Sequence, residues 1–309
     1  MKVFVAGATG AIGRPLVRLL LAEGHEVVGT TRDERRAAAL RAEGVDAVVL
    51  DAFDREAVLA AVRAAQPEVV MHQLTALPAD PEPKAMAAAL AATSRLRRET
   101  VPTFLEAARA AGARRAIVQS ISFVTRPDGR PVHDEDAPLY LDAFAGFRDV
   151  VAAVADMEAA ARAAEVETLV LRYGFLYGPG TWYDGDGPIA AIVRKRGYPL
   201  IGRGQGRTSF VHVDDAADAT VRAMDRGAAG VYNVCDDDPA MQREWLPEMA
   251  RLLGAKRPRR APAWLARRLA GDALVHYATT LPGNANGRAR EAFRWAPRGW
   301  RDGFAEVFG

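Results

Sequence analysis

The chain has 309 residues, half of them hydrophobic and 26% charged, the composition of an ordinary globular protein long enough to bury a full core. A net charge of +2 gives nucleic acid no field to respond to, and the single cysteine, Cys235, rules out an intrachain disulfide framework or a cysteine metal cluster. No apolar run reaches the roughly 18 residues of a membrane span, and the first strand begins too close to Met1 for a signal peptide, so a cytoplasmic location is expected.

The chain opens on an apolar run, Val3 to Ala6, followed at once by Gly7, Gly10 and Gly13 and then by the helical spacing of Leu16, Leu19 and Leu20. Strand, glycine turn and helix in that order make a phosphate cradle. Gly7 permits the tight turn, Gly10 lets the backbone approach a pyrophosphate, and Gly13 lets the helix sit close on the strand. A second strand, Glu26 to Thr31, ends in Arg32-Asp33. The residue just past this strand lies near the adenosine ribose, where an acid would bond a 2′-hydroxyl and an arginine a 2′-phosphate. Arg32, with Arg35 and Arg36 nearby, therefore favours NADP, with NAD as the alternative. A helix is expected over 33–43. Val45 to Leu50 forms a third strand with Asp51 at its end, placed to meet the adenine amino group.

A helix over Asp54–Ala65 and a fourth strand over Val69–Leu74 complete an alternation of strands and helices, the signature of a parallel, doubly wound sheet. Residues 84–112 read as Ala-rich helix, in two pieces meeting near Pro102. Arg114–Ile121 is a fifth strand, 149–164 another helix and Glu167–Tyr173 a sixth strand. The remainder builds a substrate lobe: an aromatic, glycine-rich loop over Tyr177–Pro188 and a short strand over Phe210–Val213. Asp214-Asp215 then cap a helix running to about Arg226. Gly230–Val234 is a further strand, followed by helices near 240–253, 262–270 and 285–293. The expected division is a Rossmann domain over 1–175 and an interwoven lobe over 176–309. The basic run 256–260 reads as a solvated connector, and Pro239 after Asp236-Asp237-Asp238 suggests a helix-start cap rather than a metal site. A hydrolase elbow, G-x-S-x-G, is absent from the sequence.

Taken together, the chain resembles the extended short-chain dehydrogenase/reductase family, which includes nucleotide-sugar epimerases and dehydratases. The resemblance rests on Gly7-Ala8-Thr9-Gly10-Ala11-Ile12-Gly13, Asp51, His72-Gln73-Leu74-Thr75-Ala76 and Leu171-Arg172-Tyr173 with Tyr177-Gly178-Pro179-Gly180. It continues through Gly202-Arg203-Gly204, Phe210-Val211-His212-Val213-Asp214-Asp215-Ala216, Val231-Tyr232-Asn233-Val234 and Trp295-Ala296-Pro297. It implies a Rossmann-type α/β fold and a nicotinamide dinucleotide. The cofactor would be held by Gly7, Thr9, Gly10, Ala11, Ile12 and Gly13, by Arg32, Asp51 and Ala52, and by Leu74, Ser120 and Tyr173. It also implies a homodimer through helices near 95–111 and 149–164, whose small residues (Ala107, Ala108, Ala152, Ala153, Ala160) would allow close approach or serve as packing against the sheet.

The chemistry departs from the family. Members use a Tyr-x-x-x-Lys pair, the lysine lowering the tyrosine pKa so that the phenol moves a proton alongside hydride transfer. This sequence contains no Tyr-x-x-x-Lys; matched on Glu158, the two positions are Val150 and Val154. The phosphate-holding arginine of nucleotide-sugar enzymes aligns with Thr208, with Arg207 one residue early, so a nucleotide sugar is disfavoured. Three readings follow. One is an NADP-dependent oxidoreductase or isomerase acting on a small organic molecule with a relocated proton relay. Its candidates are Ser122, Tyr140, Tyr177, Tyr183 and His212. The others are a non-catalytic NADP-binding regulator and a scaffold repurposed for non-redox cyclisation or elimination.

Overall fold

Seven strands make one parallel sheet: β1 (Lys2–Ala6), β2 (Glu26–Thr31), β3 (Asp46–Val49), β4 (Val69–His72), β5 (Arg115–Ile121), β6 (Glu167–Tyr173) and β7 (Gly230–Val234). Their spatial order is β7-β6-β5-β4-β1-β2-β3. The computed structural model describes residues 1–309, apart from the side chains of Pro83 and Lys84. Because β1 pairs β2 on one side and β4 on the other, with Ala6 opposite both Thr30 and His72, the winding reverses beside β1. A doubly wound sheet opens a crevice outside the carboxyl ends of its strands at that point.

Strand alternation explains the two layers. In β1, Val3 and Val5 face a core shared with α1 (Gly13–Ala22), while Phe4 and Ala6 face one shared with α3 (Arg55–Ala65) and α5 (Val101–Ala110). On the first face lie α2 (Glu34–Ala42) and α8 (Val213–Arg222); on the second lies α6 (Ala145–Ala163). The helix α4 (Pro83–Arg95) runs into α5 through a π turn, Leu96–Thr100, and this turn packs on α6. The remaining helices are α7 (Pro188–Arg194), α9 (Gln242–Leu252), α10 (Ala263–Thr279), α11 (Gly287–Phe293) and α12 (Trp300–Phe308). Of these, α7, α9 and α12 gather round a separate aromatic core that contains Tyr177, Tyr183, Phe210, Trp245, Trp300 and Phe304.

Several boundaries differ from the sequence expectation for identifiable reasons. The helix expected over 149–164 begins at Ala145, four residues earlier, and ends at Ala163; Phe147, Val150 and Val151 of its first two turns are buried. The long helical region is divided by the π turn rather than at Pro102, whose missing N–H falls harmlessly in the first turn of α5. The helix expected over 262–270 continues to Thr279, across a kink at Gly271 where φ is +83°. Asp214 and Asp215 do not cap α8; the His212 Nδ1 accepts from the Asp214 N–H, and Asp215 holds Arg298 instead. The run 236–238 does not start the next helix, since α9 begins only at Gln242; instead Asp236 accepts from the Trp300 N–H at the start of α12, and Asp237 binds Asn286 and Arg290. Ala107, Ala108 and Ala153 are buried in the core; Ala152 and Ala160 are partly exposed.

Candidate functional site

The glycine loop is shaped by backbone packing. Gly7 adopts φ +94°, and a Cβ there would lie 2.8 Å from the Gln73 carbonyl oxygen. A Cβ on Gly13 would lie 2.1 Å from the Gly7 carbonyl oxygen, so the start of α1 can sit against the loop only if that residue is glycine. Gly10 donates its N–H to Gly7 at 3.0 Å and is itself exposed, with Thr9 and Ala11 half-buried beside it and Ile12 buried. No side chain caps α1, whereas α2 and α3 are capped by Asp33 and Asp54. Within the first turn Arg14 donates to the Gly10 carbonyl, Leu16 donates to the Ile12 carbonyl and Pro15 has no N–H. The N–H groups of Ala11, Ile12 and Gly13 have no partner among the described residues; with no Cβ at Gly10, they form an opening suited to an anion.

One edge of this opening is basic. Arg32 at the end of β2 is exposed, as are Arg35 and Arg36. The acids nearby are engaged elsewhere: Asp33 accepts from the Arg36 N–H, and Glu34 pairs with Arg41. Asp51 is exposed beyond β3 and accepts from the Phe53 N–H at 3.1 Å, with Ala52 half-buried next to it.

On the other side, the carboxyl ends of β4 and β5 carry buried polar atoms with no hydrogen-bond partner. These are His72 Nδ1, Gln73 Oε1, Ser120 Oγ and Ser122 Oγ; in the π turn Arg97 Nε is likewise without a partner, close enough to His72 for its charge to be felt there. Buried polar groups are almost always satisfied, so this concentration at the crevice marks a place where a polar ligand supplies the partners. The glycine cradle and these atoms together fit a dinucleotide lying across the strand ends. Gly7, Gly10, Ile12 and Gly13 would hold its pyrophosphate. Burial, with Arg97 close by, holds the His72 imidazole down to about 4, and its Nε2 meets Thr100 at 2.7 Å. Tyr173 and Leu74 line the same ends, but the Tyr173 hydroxyl is committed to Thr220 at 2.7 Å and to Gln73 at 3.2 Å. Burial pushes its pKa up to about 12.

At Val150 and Val154, the positions to which the resemblance would assign the acid and base, this chain is dry. Val150 and Val154 are 4% and 0% exposed and pack with Val124, Ala143, Phe147 and Val151. Next to them stands an aromatic wall. Phe123 and Phe175 lie 4.3 Å apart between ring centroids, and Tyr277 meets both edge-on at 6.1 and 5.7 Å. Phe123, Phe175 and Tyr277 are only partly buried, so part of the wall stays accessible. Above it, the Trp182 indole donates to the Pro78 carbonyl at 2.9 Å, tying the aromatic loop to the segment after β4.

The proposed proton donors scatter. Ser122 sits at the strand ends with its hydroxyl unpartnered, and Tyr140 lies 5.7 Å from the His276 ring beside α6. Tyr177, Tyr183 and His212 do not join them. Tyr177 is fully buried among Phe210, His212 and Phe304, Tyr183 packs on Phe210 and Trp245, and His212 caps α8. Burial raises the pKa of both tyrosines, so neither offers a ready proton. Arg207 turns aside to the Pro239 carbonyl, as strand alternation requires. Sequence reasoning missed Arg97, Phe123, Phe175 and Tyr277, since each is an ordinary residue in an unremarkable stretch until the fold brings them together.

A parallel sheet in this order, with a glycine turn after its first strand, is a Rossmann-type doubly wound fold. The chain belongs to the NAD dependent epimerase/dehydratase family, whose profile matches residues 3–235. It is 52% identical over 308 residues to a 3-diazoavenalumate denitrifying reductase from a Streptomyces species, covering 98% of this chain and 99% of that one. Among solved structures it is similar to a double mutant of DesIV, a dTDP-glucose 4,6-dehydratase from Streptomyces venezuelae, with NAD and DAU bound (TM-score 0.78, 20% identity, 100% and 96% of the two chains). It is also similar to the human epimerase family protein SDR39U1 with NADPH (TM-score 0.74, 20% identity, 99% of each chain). The chain is thus an enzyme of the oxidoreductase and epimerase kind.

Proposed function

We propose that this enzyme is a nicotinamide-dependent reductase, NADPH favoured, that replaces the diazo group of a small aromatic compound by hydrogen and releases N₂. The observation that carries the reading is that Val150 and Val154, to which the resemblance assigns the proton relay, are apolar and buried in a hydrophobic cluster. A reduced nicotinamide, when bound, supplies a hydride. A carbonyl receiving a hydride becomes an alkoxide and needs a positioned acid, worth about 10²–10⁴-fold in rate. An epimerase needs the relay in both directions. An arenediazonium carbon needs neither: Ar–N₂⁺ plus H⁻ gives Ar–H plus N₂, with charge and atoms balanced and no proton drawn from the protein.

The aromatic wall suits such a substrate. Phe123, Phe175 and Tyr277 offer flat apolar contact to a ring, and their π faces attract a cationic substituent without hydrating it. The name of the Streptomyces relative supports the same class of reaction. Arg32, with no acid free to pair with it, supports a 2′-phosphate on the cofactor.

The test is to run arenediazonium salts with NADPH in D₂O, correcting for the enzyme-free rate. The expected product carries protium at the new C–H bond, and deuterium when the nicotinamide C4 is deuterated in the transferred position. Solvent deuterium at that carbon, or reduction of ketones with no enzymatic N₂ release, sinks the reading.

A further inference from the structure

Arg97 is 4% exposed, sits in the π turn, and its side chain makes no hydrogen bond or ion pair among the described residues; its buried Nε is unpartnered, and its charge is felt by His72 at the carboxyl end of β4. A buried charge without a partner costs several kcal/mol, and π turns inside helices recur at functional sites. The nearest carboxylate is not available to it. Glu158, one turn beyond Val154 on α6, holds Arg172 through both oxygens at 2.7 and 2.8 Å. Burial lowers the Arg97 pKa only to about 10, so the guanidinium stays charged at neutral pH. The unfilled N–H groups therefore await oxygen acceptors from a bound molecule.

The layout of the crevice says which part of a dinucleotide brings them. Its pyrophosphate belongs at the glycine loop and its adenosine half toward β2 and β3, so the nicotinamide half must run the other way, over β4 and β5. The first group past the pyrophosphate in that direction is a ribose with two hydroxyls. Gln73 and Ser120 are the unpartnered groups at those strand ends, and Arg97 stands beside His72 at the end of β4. We propose that Arg97 is a positioning residue whose guanidinium donates hydrogen bonds to the nicotinamide-side ribose of the cofactor, supplying from the π turn the positive charge that α6, with Val154, does not carry. The inference rests on the reading above that a nicotinamide dinucleotide binds in this crevice; it is independent of the substrate.

The experiment compares two ligands on wild type, Arg97→Met and Arg97→Lys. NADPH carries the nicotinamide riboside; adenosine 2′,5′-bisphosphate lacks it. If wild type prefers NADH, the pair becomes NADH and ADP. Arg97→Met should weaken NADPH by about 10- to 100-fold, the range for hydrogen bonds from a charged donor, while the bisphosphate stays within about twofold of wild type on the same scale. Arg97→Lys should fall between. Adding lysine back as Val154→Lys in the Arg97→Met chain should recover part of the NADPH affinity. Unchanged NADPH binding overturns the proposal, and so does an equal loss for both ligands, which would mean a general structural role. If the methionine variant does not fold, the lysine variant decides: equal effects on both ligands overturn it. Wild type that binds NADPH but leaves diazonium salts untouched refutes only the substrate reading; wild type that binds neither nucleotide refutes both.

Discussion

Arg32 leaves the end of β2 exposed, with Asp33 turned back to cap α2 and Glu34 held by Arg41. Nothing local neutralises it, so its charge is available to a 2′-phosphate. Arg32→Asp should reverse the ratio of NADPH to NADH affinity, by about tenfold or more from the loss of a charge-assisted bond and the new repulsion. Isothermal titration of both nucleotides against both proteins checks this, and an unchanged ratio means that a different group reads the ribose. The sequence displayed this residue because position after a strand is a one-dimensional property. Arg97 shows the contrary case. In the sequence it is one basic residue in Arg95-Leu96-Arg97-Arg98, and nothing distinguishes it from Arg98, which pairs with Asp149 and Asp156 on the surface.

The docking of α1 depends on an approach that only glycine allows. The Cβ of an alanine at 13 would collide with the Gly7 carbonyl and with Ala8, all backbone atoms that cannot rotate away. Gly13→Ala should therefore cost about 1–3 kcal/mol, the range for overpacking, and should weaken nucleotide binding by displacing the loop. Gly146→Ala is the matched control. It lies in the first turn of α6 with open space around it, so alanine there should be neutral or stabilising by up to about 1 kcal/mol. Chemical denaturation of the two variants measures the contrast; equal effects would contradict it. The same comparison of elements explains the errors of boundary. The kinked α10 and the π turn between α4 and α5 are held by packing on α6 and the lobe, which local propensity does not record.

Across the whole molecule, Asp236 joins sheet to lobe. It follows β7, its N–H donates to the Phe210 carbonyl at 2.7 Å, and its Oδ2 accepts from the Trp300 N–H at 2.9 Å at the start of α12. Burial raises its pKa to about 8, with Asp238 and Asp237 adding to the shift. In the folded state the carboxyl thus keeps its proton between about 4 and 8, where the unfolded chain has lost it. The folded state binds more protons there, so this group lowers stability as pH rises through that window, by up to about 1.4 kcal/mol per pH unit. His72 and His276, both held down to about 4 by burial, act with the opposite sense: their contribution is lost as pH falls below about 6.5. Asp236→Asn should flatten the decline in Tm between pH 5 and 8 on the alkaline side and leave the acid side unaltered. A parallel decline in wild type and variant would show that Asp236 is ionised in the folded protein.

What the sequence determined by itself is the part of this protein that local pattern encodes. Val3–Ala6 followed by glycines at 7, 10 and 13, and the repeated alternation of apolar strands with helices, dictate a doubly wound sheet and an anion cradle at its first turn, because strand period, glycine freedom and right-handed crossover leave few other solutions. The absence of Tyr-x-x-x-Lys is equally a fact of sequence. Only the tertiary structure decided what surrounds Val150, Val154 and the strand ends. Phe123, Phe175 and Tyr277 come from three separate segments, and Arg97 comes close to His72 at the end of β4 from the π turn. Their contacts are set by packing between elements distant in the chain, as is the fate of Tyr177, Tyr183 and His212, which burial in the lobe withdraws from the site. Residue type is written in the chain; whether a polar atom finds a partner depends on every element packed against it.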